Sequence, residues 1–135
     1  MRMSCTRLIA ALTCSALAAG ATPAIAHHSV SSEFDYAKKF SFQATVIKLV
    51  VINPHSVLEV ERTNADGTKT VWKLQTLGAG QLRQRFGPEG AVKPGQVVTV
   101  EGIQSRSGNP YGFLENLIMP DGRAVKTYFG NPDGN

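Results

Sequence analysis

Three histidines are the residues of this 135-residue chain best suited to chemistry, and they fall in two short motifs. His27-His28-Ser29 follows Ala24-Ile25-Ala26, and His55 stands in Asn53-Pro54-His55-Ser56. Ala24 and Ala26 are the small residues that a signal peptidase reads, so cleavage after Ala26 is expected to leave His27 as the mature N-terminus. A free α-amine and an imidazole on one residue form a bidentate chelate. One more imidazole makes a three-nitrogen set, and copper(II) prefers nitrogen ligands in a tetragonal plane. His55, or less easily His28, would supply that third nitrogen, so the candidate metal ligands are His27, His28 and His55. A rival mode uses the amine, the backbone nitrogen of His28 and its imidazole. The tighter amino-terminal copper motif needs histidine third, where Ser29 stands. Zinc can use the same imidazoles, but a closed four-ligand structural site is hard to assemble without cysteine.

Other chemistries find less support. Glu59 and Glu61 lie two apart on one strand face, a spacing that suits a solvated strand better than an acid–base pair. Gly78-Ala79-Gly80 lacks the third glycine of a dinucleotide loop, since Arg83 stands there. Ser29 and Ser56 each adjoin a histidine, yet no nearby carboxylate completes a triad. Trp72, Tyr111 and Phe113 could stack on a base or sugar, although Trp72 shares its inward parity with Thr70 and Leu74 and reads as core. No catalytic residue and no organic-cofactor site is assigned. The histidines have a plain reading too, in which His27 and His28 only follow a cleavage site and His55 is a turn residue.

The elements that must position these residues begin with an export signal over 1–26. Arg2 and Arg7 open it and Leu8 to Ala19 is mostly apolar. That run falls short of the roughly 20 residues a spanning helix needs, so no membrane span is expected after cleavage. Thr13 makes a poor lipobox residue before Cys14. Cys5 and Cys14, the only two cysteines, leave with the signal, and the mature chain has no disulfide or thiolate. Fourteen Lys+Arg less Arg2 and Arg7 leaves twelve against ten Asp+Glu, a net charge of +2. No basic patch stands out, so nucleic acid is a poor partner on electrostatic grounds. A periplasmic or secreted location follows.

Residues 27–39 are expected to form a polar, irregular arm anchored by Phe34 and Tyr36. Residues 40–129 read as one β domain. Phe40–Ile52 is a long strand whose apolar residues share one parity up to Val46 and then appear on the other, a phase change that implies a bulge or bend. Asn53-Pro54 makes a turn in which Asn53 can bond its own backbone. Val57–Arg62 and Thr68–Leu74 are strands around the turn Asn64-Ala65-Asp66-Gly67. Gly78–Phe86 is helical, with Leu82 and Phe86 on one face and Gly87-Pro88 as the stop. Gln96–Gln104, Tyr111–Met119 and a short strand near 123–127 follow, and 130–135 is expected to be a disordered tail. The buried set should be Leu58, Val60, Trp72, Leu74, Leu82, Phe86, Val98 and Val100. Five main strands with one helix between the third and fourth is the order of an OB-like barrel. The fold class is therefore mainly β, a small OB-like five- to six-stranded β-barrel with one short helix.

His27-His28-Ser29 directly after a signal, Phe34-Asp35, Asn53-Pro54-His55, Trp72, Lys93-Pro94-Gly95, Val98-Thr99-Val100 with Gly102, and Asp121-Gly122-Arg123 together resemble a domain-of-unknown-function family of small exported bacterial proteins. The resemblance spans nearly the whole mature chain and implies export and a β-rich fold, without an activity. Ala44 departs from it where glycine is expected, and Val51 where an aromatic residue is frequent. In ligand types alone, the three-nitrogen set is similar to the histidine brace of copper monooxygenases.

The resulting expectation is an exported small β-barrel that binds copper, or a similar transition metal, through its mature N-terminal histidine. The alternative is a metal-free OB-like module holding a peptide, glycan or protein partner. An enzyme ranks third, since no residue identifies a substrate.

Overall fold

The computed structural model describes residues 30–88 and 90–128. A four-residue helix, α1 (Val30–Glu33), leads into the 17-residue strand β1 (Phe34–Val50). The remaining elements are β2 (Val57–Thr63), β3 (Lys69–Gln75), α2 (Ala79–Phe86), β4 (Val97–Ser105), β5 (Tyr111–Ile118) and β6 (Ala124–Lys126).

The long first strand organises the sheet. Its first part pairs antiparallel with β4, from Phe34↔Ser105 to Thr45↔Val97, and its last part pairs with β2, from Thr45↔Glu61 to Val50↔Val57. The register slips between Val46 and Lys48. Ile47 is the extra residue, and the burial phase turns over there as the sequence pattern requires: Phe42, Ala44 and Val46 face inward before it, and Leu49 opposite Leu58 after it. Sheet order runs β3-β2-β1-β4-β5-β6, and a short parallel pairing of β3 with β5, Lys73↔Tyr111 to Gln75↔Phe113, closes the first five strands into a ring. The protein is a mainly β, OB-like barrel with one two-turn helix between its third and fourth strands.

Leu82 and Phe86 on α2 cap the barrel interior beside Leu58, Val60, Trp72, Leu74, Val98 and Val100, all buried as the parities predict. Burying each such side chain is worth about 1.5–3 kcal/mol. Gly87, at φ 63°, ends the helix in a conformation that a side chain would strain. Ala44, the departure from the family pattern, is buried opposite Val98, and Val51 packs half-buried against the same core.

A second apolar cluster lies apart from the first. Phe34, Ile103 and Phe113 are buried in it, with Val30, Tyr36, Tyr111 and Tyr128 packed around them. This cluster corrects the expectation of an irregular arm over 27–39. In its described part the arm is a helix followed by β-strand, and the strand starts at Phe34 rather than Phe40. The reason is tertiary. Phe34 and Asp35 pair with Ser105 and Gln104, then the ladder slips and resumes only at Lys39↔Ile103. The residues between break any alternation that would mark a strand. The signal segment, His27, His28 and the tail after Tyr128 lie outside the described residues. Among the described residues no helix is long and apolar enough to cross a membrane.

Candidate functional site

His55 sits on the loop between β1 and β2, and that loop is fixed from below. Ser56 is fully buried; its N–H donates to the Leu77 carbonyl at 3.0 Å, and its own carbonyl accepts from Thr76 N–H at 2.9 Å. The Ser56 hydroxyl donates to the Ile52 carbonyl at 3.2 Å and accepts from Ile52 N–H at 3.3 Å. On the other side of His55, the Asn53 side-chain oxygen accepts from Ala79 N–H at 3.0 Å, 26 residues away. Asn53 therefore does not bond its own backbone, as a local reading of Asn-Pro suggests. It shares the Ala79 N–H with the Ile52 carbonyl, 3.1 Å away, at the first turn of α2, whose N-cap, Gly78, has no side chain.

Gly78 permits this docking. A Cβ there would lie 2.8 Å from Asn53 Oδ1 and 2.8 Å from the Pro54 carbonyl oxygen. The Asn53-Pro54 peptide is cis. His55 itself is exposed, and its imidazole makes no hydrogen bond or ion pair among the described residues. A held backbone thus presents a ring whose nitrogens are open to a ligand.

The other features raised by the sequence fall into structural roles. Glu59 pairs with Lys48 at 3.4 Å and Glu61 with Lys69 at 2.6 Å, so both act as surface ion-pair partners. Trp72 packs between Phe40 and Phe42, with centroids 5.3 and 5.0 Å away, inside the barrel. Tyr111 and Phe113 instead pack on Phe34, so the three rings form no common platform. Among the described residues no three His, Cys, Asp or Glu side chains form a metal-binding group.

Several clefts mark the surface of the described residues, and two of them bear on the features above. A polar one of about 370 Å³ lies over Lys39, Ser41, Glu101 and Glu115, where Lys39 Nζ donates to Glu115 at 3.2 Å. A mainly apolar one of about 220 Å³ lies between Val51 and the α2 residues Leu82 and Phe86, with exposed Ile52 next along the chain.

Barrel closure relates the start of the described chain to the His55 loop. The Phe34 ring lies 5.4 Å from that of Tyr111, and the Tyr111 hydroxyl is 2.5 Å from Gln75 Oε1. Gln75 in turn pairs with Val57, two residues after His55. Partial burial, then the Glu33 charge and its hydrogen bond, push the Tyr111 phenol up to about 12. No local sequence pattern announces this Phe34–Tyr111–Gln75 corner, because its members come from β1, β5 and β3.

Fold and site define an OB-like barrel that carries a solvent-facing histidine on a fixed inter-strand loop. A family model described as a family of unknown function, DUF6152, matches residues 15–115, and the chain belongs to that family. No curated protein and no solved structure matches it.

Proposed function

We propose that this protein is exported, loses residues 1–26, and binds a copper-type ion through the His27 amine and imidazole with His55 as a further ligand. The carrying observation is the return of the barrel: the described part of the arm is tied at Phe34 to Tyr111, which donates to Gln75, the strand partner of Val57. Three residue links separate Val30 from His27, a span of up to about 10 Å. The lone described histidine cannot hold an ion by itself, so the mature terminus is the source of the missing nitrogens. Such a protein would act as a metal carrier, sensor or accessory protein.

Copper(II) titration of the chain with an authentic His27 terminus, beside the same chain extended by one methionine, tests this. The extension moves the free amine off His27. Affinity should fall by at least two orders of magnitude, and His55→Ala should remove one nitrogen from the copper electron paramagnetic resonance hyperfine pattern. Equal affinity of the two chains, or no binding by either, overturns the reading in favour of a metal-free interaction module.

A further inference from the structure

The apolar cleft beside α2 lies at the capped end of the barrel, and the metal chemistry makes no use of it. Leu82, Arg83 and Phe86 of α2 line it together with Val51, just past β1, and with Gly90 and Ala91 from the segment before β4. Its frame is held. Arg123 Nη1 donates to the Phe86 carbonyl at 3.0 Å, which pins the last turn of α2, and buried Val92 anchors the segment that carries Ala91. A cleft already formed in this way loses little freedom when it is filled.

Size and charge specify what fills it. At about 220 Å³ the cleft falls below the roughly 300–1,000 Å³ of small-molecule sites. Allowing about 30 Å³ for each water-sized group, it takes roughly seven heavy atoms, which is one phenylalanine side chain and far short of a membrane lipid's acyl chain. Arg83 supplies the charge. It is exposed, and its guanidinium makes no hydrogen bond or ion pair among the described residues. It is the i, i+3 neighbour of Phe86 on the helix surface, and no carboxylate lines the cleft among the described residues.

We propose that this cleft docks an acidic segment of a partner protein, which inserts one phenylalanine- or leucine-sized side chain against Leu82 and Phe86 and sets a carboxylate on Arg83. The proposal stands apart from the metal reading. A single apolar anchor in a formed pocket carries most of the energy of such a contact. The arginine–carboxylate pair at its edge selects the acidic segment more than it adds affinity.

The test follows amide NMR shifts of Val51, Leu82, Arg83 and Phe86 in the full chain, isotope-labelled. The first probe is a short peptide with one phenylalanine flanked by glutamates. A second peptide has alanine for the phenylalanine, a third has glutamines for the glutamates, and octanoate is the fourth probe. The first peptide should shift these amides with the millimolar affinity of a single-anchor fragment, and the alanine peptide should not. The glutamine peptide should bind about five- to tenfold more weakly. Arg83→Gln should cost the first peptide the same factor and the glutamine peptide nothing. Ala91→Leu, at an exposed position, should fill the cleft and abolish binding while the melting temperature holds. No shift with the first peptide, or equal binding of the phenylalanine and alanine peptides, overturns the proposal. Tighter binding of octanoate overturns it in favour of an acyl ligand. The same shifts on concentrating the protein alone overturn it in favour of a second copy of this chain.

Discussion

Replacing Gly78 with alanine gives the sharpest test of how the His55 loop is held, because two physical effects predict opposite signs. Gly78 has φ −64° and ψ 163°, extended backbone that any residue adopts. If nothing lay over it, alanine would stabilise the fold by about 0.4–1 kcal/mol by restricting the unfolded chain. The docked loop reverses this. The new methyl would sit 2.8 Å from both Asn53 Oδ1 and the Pro54 carbonyl oxygen, so the loop must withdraw by several tenths of an ångström. Withdrawal breaks the 3.0 Å bond to Ala79 N–H, a loss of about 0.5–1.5 kcal/mol. Overpacking adds about 1–3 kcal/mol. The net expectation is destabilisation of about 0.5–4 kcal/mol, centred near 2 kcal/mol, on the order of 10 °C in melting temperature for a domain of this size. Urea denaturation of Gly78→Ala, Asn53→Ala and the double variant measures it, and the two changes should couple. A Gly78→Ala protein as stable as the parent, or more so, would show that the loop is not seated on α2 and that His55 has no fixed platform.

Trp72→Ala should be among the most damaging single changes, about 3–5 kcal/mol, because it empties the space between Phe40 and Phe42; a melt matching the parent would place that ring at the surface. Tyr111 should ionise near pH 12, and Tyr111→Phe should remove that step from an ultraviolet titration. Its folded value lies above the unfolded one, so this contribution to stability is complete below about pH 10 and is lost as pH rises through about 12. A Tyr111 phenol that ionises at the ordinary tyrosine value would refute its part-buried setting beside Glu33.

Much of the barrel was legible in single residues. The parity of Phe42, Ala44 and Val46 and its reversal after Ile47 marked both the strand and its bulge, since period-two burial leaves no other reading. Leu82 and Phe86 before Gly87-Pro88 fixed the helix and its end. The start of β1 was hidden, because Tyr36 to Lys38 leaves the ladder and carries no alternation; Phe34 is held in the strand through Ser105 and the Phe113 ring. The partner of Asn53 was hidden as well. One signal was present all the same: a helix that opens after glycine without Ser, Thr, Asp or Asn at its cap needs its donors satisfied from elsewhere in the chain.

The candidate site depends most on what local sequence carries least, the parallel pairing of β3 with β5. A straight strand of 17 residues would set Phe34 and Val50 roughly 50 Å apart, and a metal shared between the arm and the His55 loop would be out of the question. In the closed ring the path from Phe34 runs through Tyr111 and Gln75 to Val57, one ring contact, one hydrogen bond and one strand pairing. The pairing that makes this path spans three residue pairs, with Lys73 N–H donating to the Pro110 carbonyl at its edge. Tyr111 stands at its first pair and holds Gln75 at its last, so the residue that closes the barrel is also the one that receives the arm. Closure of the fold and anchoring of the described part of the arm at Phe34 therefore share the Tyr111 side chain, and loosening the seam at Tyr111 should loosen both.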